Sequence, residues 1–429
     1  MPQCGFDGYT VPRKKHVRED FFDQYLYYFY LSEGFDREEF FPVRFFRCEV
    51  EERLWFRYNE AGIRGKRQKR NPDRSTDDVD QYGSERKRGQ KMKTIRAAVI
   101  GCGNISVMHL DSITHLEGLS LAAVCDVRPE RAKQAAEKYH TKAYTDYRKL
   151  LEEEKPDAVH LCLPHYLHTP AAQEALRAGV HVLSEKPMSI RYEDAQETVK
   201  LAERCGLQYG VIFQCRYNTP SQLVKRRITD GRLGTVKAAR SVLTWYRPED
   251  YYAGSDWKGT WEKEGGGVII DQAIHSLDLA NWFIASSPVS VEASLHNRGH
   301  RSMVVEDTGE GLVRYENGST LFFYAMNNYP VDEPIELRLV CEHGTARLSY
   351  DEAVISYEDG TVEAVKNRPQ QIVSYTGGKP YWGSQHAVQI DQFYRAARGL
   401  EELEISGKEA LKIQRIICEI YRNPVERTV

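Results

Sequence analysis

From Thr94 onward, short apolar runs alternate with stretches in which apolar residues recur every three to four positions, the periods of buried strands and of helices. The run IRAAVIG predicts a strand, 104–117 a helix, LSLAAVCD a second strand, and RPERAKQAAEKYH a helix opened by Pro129. AYTDYRKLLEEEKP predicts a strand edge and a helix, and DAVHLCLP a strand. TPAAQEALRAG predicts a helix with Thr169 as N-cap and Gly179 as C-cap. HVLSEKP, 192–205 and QYGVIF add strand, helix and strand. Strand and helix alternating at this spacing predict a doubly wound parallel sheet.

Beyond Gln214 the pattern changes. Helices are expected over 219–230 and 268–285, while 288–365 reads mainly as strands, with Asn317-Gly318 and Asp359-Gly360 as hairpin signatures. A helix pair over 386–398 and 407–421 follows. The expected fold class is α/β: a doubly wound parallel domain over 92–213, then a second α/β domain over 214–429 with a large, open, mostly antiparallel sheet. Residues 1–91 break the rhythm. About a fifth of them are aromatic, no period holds for long, and 64–91 is dense in charge. A disordered or poorly packed extension is expected there, with the functional protein beginning near Met92. A basic arm for nucleic acid and an accessory segment with local helix are the other readings.

The chain of 429 residues is long enough for two cores. Lys and Arg (59) nearly balance Asp and Glu (62), so net charge gives no reason to expect nucleic acid or an anionic membrane as partner, and the expected ligand is a small molecule. Nine scattered cysteines without a C-x-x-C pair suit reduced thiols and a cytoplasmic location. No apolar run is long enough to span a membrane.

In IGCGNIS, Gly101 and Gly103 would let backbone amides approach a pyrophosphate at the start of the next helix, with Asn104 and Ile105 completing the loop. Asp126, at the end of the second strand, is placed to accept hydrogen bonds from ribose hydroxyls and to repel a 2′-phosphate. This favours NAD over NADP, although Arg128 nearby would suit a phosphate.

SEKPMS sets Glu185, Lys186 and Pro187 at the carboxyl end of a strand, where ligands of such sheets bind. In EGGGVIIDQAIHSLD, Asp271 and His275 are four apart and on a helix would share a face. A histidine can accept a hydroxyl proton as hydride leaves carbon, and a carboxylate beside it could orient the ring. Asp278 fits a structural role equally well. In RPEDYYAGSDWKGTW, Arg247, Tyr251, Trp257, Lys258 and Trp261 supply donors and aromatic faces of the kind a polyhydroxyl ligand needs. His165 and His168 have the spacing of a metal pair but no clear third ligand, so no metal is expected.

The segments GCGNISVMH, CDVRPERA, LPHYLHTPAAQEALRAGVHVLSEKP and EGGGVIIDQAIHSLDLANW together resemble the Gfo/Idh/MocA oxidoreductases, from about residue 94 to the C-terminus. The resemblance implies a Rossmann domain followed by a substrate-binding and oligomerisation domain. It gives catalytic roles to Lys186, Asp271 and His275, with Pro164 and Glu185 lining the nicotinamide pocket and His168 among the cofactor-binding residues. Lys186, Arg247, Trp257, Trp261, Asp271 and His275 are the expected substrate contacts. The expected activity is NAD(P)-dependent hydride transfer to or from a sugar, inositol or related polyol, in a homodimer or homotetramer. Two rivals use the same groups: a glycosidase that oxidises, eliminates and re-reduces its substrate, and a dinucleotide-binding sensor without turnover.

Overall fold

The computed structural model describes residues 94–368 and 385–422, together with the backbone of 424–428. The expectations for residues 1–91 lie outside the described residues. Strands β1 (Ile95–Ile100), β2 (Leu119–Cys125), β3 (Lys142–Tyr144), β4 (Ala158–Leu161), β5 (His181–Ser184) and β6 (Tyr209–Val211) form one sheet in the order 3-2-1-4-5-6. Every neighbouring pair is parallel. β1 and β4 read as continuous apolar runs because helices cover both faces; Ala97, Ala98, Val99, Val159 and Leu161 are all fully buried. The strand order reverses between β1 and β4, so their carboxyl ends open into the crevice where ligands of such sheets bind.

Five helices connect these strands: α1 (Ser106–His115), α2 (Pro129–Tyr139), α3 (Tyr147–Glu154), α4 (His165–Arg177) and α5 (Tyr192–Cys205). Asp146 caps α3 by accepting from the Arg148 amide at 2.9 Å. The helix expected to begin at Thr169 starts a turn earlier, with Pro164 as its N-cap and Pro170 inside it. The Tyr166 amide donates to the Lys263 carbonyl of the second lobe, at 3.1 Å, so a first-turn donor is satisfied from outside.

The second lobe contains α6 (Thr219–Thr229), β7 (Val236–Thr244), α7 (Glu249–Ala253) and α8 (Ile274–Ile284). Strands β8 (Pro288–His296), β9 (Thr308–Tyr315), β10 (Thr320–Met326), β11 (Glu336–Cys341), β12 (Gly344–Leu348), β13 (Glu352–Tyr357) and β14 (Val362–Lys366) follow. Helices α9 (His386–Ala397) and α10 (Gly407–Arg422) and strand β15 (Pro424–Thr428) complete the chain. The nine strands run 14-13-12-11-7-10-9-8-15. Only β7–β10 and β8–β15 pair in parallel. The expected hairpins are present, with Gly318 and Gly360 at φ of 82° and 81°, a region that suits glycine. Helix α8 packs on the inner face, where Ser276 and Ser241 hydroxyls meet at 3.0 Å.

Helix α9 departs from the division expected at residue 214. Its Ile390, Phe393 and Tyr394 join Ile95, Val99, Leu110 and Ile113 in one buried cluster of the first lobe. Chain order placed it in the second lobe; its apolar face places it against the first.

Candidate active site

At the switch point the chain turns sharply after β1. Gly101 has φ of 97°, and a Cβ there would lie 2.2 Å from the Cys162 carbonyl oxygen, so only glycine lets β1 pass this close to the end of β4. Gly103 differs. Nothing lies within 4 Å of the position its Cβ would take, and the residue borders the cleft. Among the described residues the amides of Gly103, Asn104 and Ile105 have no partner in the fold, leaving donors at the start of α1 for an anion. Asp126 is fixed from two sides: Oδ2 accepts from the Cys102 amide and Oδ1 from the Arg128 amide, both at 2.9 Å. These features fit a dinucleotide with its pyrophosphate over the glycine loop and its ribose at Asp126.

The cleft continues past Pro164 and Glu185 to the second lobe and encloses about 630 Å³. Lys186, preceding a cis proline, extends its ammonium to the Asp271 carbonyl oxygen (2.6 Å) and to Asp271 Oδ1 (3.1 Å). Asp271 Oδ2 accepts from Lys258 Nζ (2.9 Å), Tyr251 OH (2.8 Å) and Gln272 Nε2 (2.6 Å). Burial alone would raise the Asp271 pKa, but Lys258, Lys186 and His165 outweigh it and hold the carboxyl well below its usual range. Burial likewise opposes the charge on Lys258, and Asp271, Tyr251 and Glu264 more than restore it. Glu264, fully buried beside them, is pushed by burial up to about 8, with Lys258 pulling the other way.

His275 also borders the cleft, edge-on to Phe213. Its Nδ1 is buried and makes no hydrogen bond, while the side chain itself lines the cleft. Burial, then the nearby Lys186 charge, lowers its pKa to about 3, so the ring is neutral at physiological pH.

One expectation is corrected here. Asp271 does not orient His275; its carboxylate is fully engaged by two lysines, a tyrosine and a glutamine. Residues Ile269–Ala273 form a π-helical turn before α8. What draws the Asp271 carboxylate elsewhere is the two ammonium groups of Lys186 and Lys258 beside it. Asp278, on α8 proper, is structural: the buried Arg216 guanidinium grips it with Nε–Oδ2 at 2.7 Å.

Most sequence-derived site residues meet in this one cleft: Gly101 to Ile105 through the loop, Asp126, Arg128, Pro164, Glu185, Lys186, Arg247, Trp257, Asp271 and His275. Two do not. His168 is fully buried with Nδ1 2.6 Å from the Pro187 carbonyl oxygen and Nε2 2.8 Å from that of Leu163, so it braces the backbone around Lys186 and touches no cleft space. Trp261 packs against the Tyr421 ring, centroids 5.5 Å apart. Sequence reasoning gave no site role to His165, whose ring lies tilted against Trp257 with centroids 4.8 Å apart and 3.8 Å from Asp271 Oδ1, nor to Gln272 and His386. Among the described residues, no group of three or more His, Cys, Asp or Glu side chains is placed to hold a metal. No helix among them is long and apolar enough to cross a membrane.

Residues 95–213 match the family model for an NAD-binding Rossmann fold of an oxidoreductase family, and 221–347 match the GFO/IDH/MocA C-terminal domain. The chain belongs to the GFO/IDH/MocA family of oxidoreductases. It is 31% identical to the D-glucoside 3-dehydrogenase of Escherichia coli over 77% of its own length and 95% of that protein's. It is 24% identical to the inositol 2-dehydrogenase of Rhizobium meliloti, over 78% and 98%. Among solved structures, the WlbA dehydrogenase from Bordetella pertussis, in complex with NADH and UDP-GlcNAcA, superimposes with a TM-score of 0.67 at 30% identity. That alignment covers 77% of this chain and 96% of the other. As a GFO/IDH/MocA protein the chain is an NAD-binding oxidoreductase.

Proposed function

We propose that this GFO/IDH/MocA protein is a dehydrogenase that moves a hydride between NAD and a CH–OH carbon of a sugar, inositol or related polyol. The observation carrying this reading is the meeting of Lys186, Asp271 and His275 in one cleft with the glycine loop. Relatives named as a D-glucoside dehydrogenase and an inositol dehydrogenase support the substrate class.

Bound NAD supplies the hydride acceptor. The protein's own groups manage the oxygen and its proton. Two of the donor directions of the Lys186 ammonium are spent on Asp271, which leaves a third for the reacting oxygen. That contact strengthens as negative charge develops on the oxygen. The neutral His275 ring takes the hydroxyl proton. Asp271 positions Lys186 and Lys258, and Trp257 and Tyr251 offer the aromatic faces of a polyol site. NADH formation across a panel of inositols, aldoses and glycosides tests the reading. Consumption of a glycoside with no net NADH would shift it to the oxidise, eliminate and re-reduce route.

The fixed Asp126 carboxylate supports NAD over NADP, because a 2′-phosphate would meet a like charge with both oxygens already held. Arg128 lies 3.7 Å from the exposed Asp256. Asp126→Ala is expected to reduce the ratio of kcat/KM for NAD to that for NADP by about 10- to 100-fold. An unchanged ratio would remove Asp126 from cofactor choice.

A second copy of the chain is the proposed cover for the outer face of the nine-stranded sheet, where Phe322 and Val340 are about half exposed. Phe322→Asp is expected to shift the sedimenting species toward monomer; a wild-type monomer would refute the proposal.

A further inference from the structure

Behind Glu185 lies a line of buried polar side chains that the reaction as described does not use. Glu185 Oε1 is 3.0 Å from His109 Nε2. His109 Nδ1 is 2.7 Å from His160 Nδ1, and His160 Nε2 is 2.7 Å from the Tyr394 hydroxyl. The line crosses four elements, from the end of β5 through α1 and β4 to α9, and His109, His160 and Tyr394 are fully buried. His386, at the start of α9, adds a second imidazole 3.6 Å from Glu185 Oε1.

Hydrogen-bond bookkeeping fixes the direction of this line. A carboxylate only accepts, so His109 Nε2 carries hydrogen and donates to Glu185. Burial lowers the pKa of His109 despite the pull of Glu185, and lowers that of His160 well below the usual value, so each ring is neutral and carries one hydrogen. His109 Nδ1 must then accept from His160 Nδ1–H, and His160 Nε2 from the Tyr394 O–H. Every member donates toward Glu185. Burial opposes ionisation of Glu185, yet the hydrogen bond from His109 and the neighbouring His386 hold it well below the ordinary carboxylate range.

Glu185 borders the cleft between the glycine loop and Lys186, the stretch a nicotinamide ring must cross to reach an alcohol held by Lys186 and His275. The oxidised ring carries a positive charge and the reduced ring does not. The geometry points to His109, His160 and Tyr394 as positioning residues that lock Glu185 as a fixed negative charge, so that the cleft binds NAD+ in preference to NADH. The inference rests on the proposed dehydrogenase function and adds to it a device for releasing the reduced cofactor.

The test compares dissociation constants of NAD+, NADH and ADP-ribose for wild type, His109→Phe, His109→Gln and Tyr394→Phe, by calorimetric or fluorescence titration. In His109→Phe, Glu185 loses its closest donor and burial favours its neutral form. NAD+ binding is expected to weaken about ten-fold or more relative to NADH, while ADP-ribose, which lacks the nicotinamide, is unaffected. His109→Gln restores a donor and should recover part of the preference. Tyr394→Phe removes only the hydroxyl. Without it His160 can place its hydrogen on Nε2 and set two lone pairs face to face at Nδ1, so the preference should fall in the same direction by a smaller factor. If His109→Phe folds poorly, Tyr394→Phe still decides. Wild type that binds neither nucleotide would overturn both the proposed function and this inference. Wild type that binds both, with an unchanged NAD+ to NADH ratio in the variants, would overturn this inference alone.

Discussion

Lys186→Ala is expected to reduce kcat/KM for NADH formation by about 10³-fold while NAD+ affinity changes by no more than a few-fold. The asymmetry follows from position. The ammonium reaches away from the glycine loop toward Asp271 and the second lobe, at 2.6 Å and 3.1 Å, so its loss removes the donor to the reacting oxygen and leaves the phosphate cradle untouched. Asp271 does not become an isolated buried charge, because Lys258, Tyr251 and Gln272 still hold Oδ2; the variant should therefore fold. Steady-state kinetics together with nucleotide titration separate the two effects. A parallel fall in nucleotide affinity would show that Lys186 holds cofactor instead of substrate oxygen.

His275→Ala should cost about 10²- to 10⁴-fold in kcat, the range for loss of a positioned general base. The pH dependence is the sharper check. An ordinary histidine titrates near ~6.5, but burial and Lys186 bring His275 down to about 3. In the direction of alcohol oxidation the neutral ring is the active form. The acid limb of wild-type kcat/KM from this group therefore lies well below pH 6.5, and activity persists through the interval where a solvent-exposed histidine would fail. A limb centred near 6.5 that disappears in His275→Ala would show that the ring titrates as if hydrated, and the proposed environment of the base would be wrong.

The first lobe was legible because each strand buries both faces and each helix exposes one, so periods of two kinds alternate without overlap. β7 was not anticipated, although it is the central strand of the larger sheet. In VKAARSVLT a register shift at Lys237 breaks the alternation and leaves both Lys237 and Arg240 exposed, so the period of two is faint. The glycine loop, Asp126 and the EKP lysine could be placed because each chemistry is written within a few residues. The spacing of Asp271 and His275 misleads because the partners that claim the carboxylate, Lys186, Tyr251 and Lys258, lie 85, 20 and 13 residues away. His109 and His160 are separated by 51 residues, and His160 and Tyr394 by 234. No local pattern encodes partners that far apart.

The return of α9 to the first sheet has a mechanical consequence. Residues of both lobes also share one buried apolar cluster, Val159 and Val182 of the first with Ile270 and Leu277 of the second. Two bodies joined by a tether alone can swivel; two that share a packed core move against each other only by opening it. The walls of the cleft are therefore held at a set spacing, and the two reactants would meet in the same alignment at every turnover.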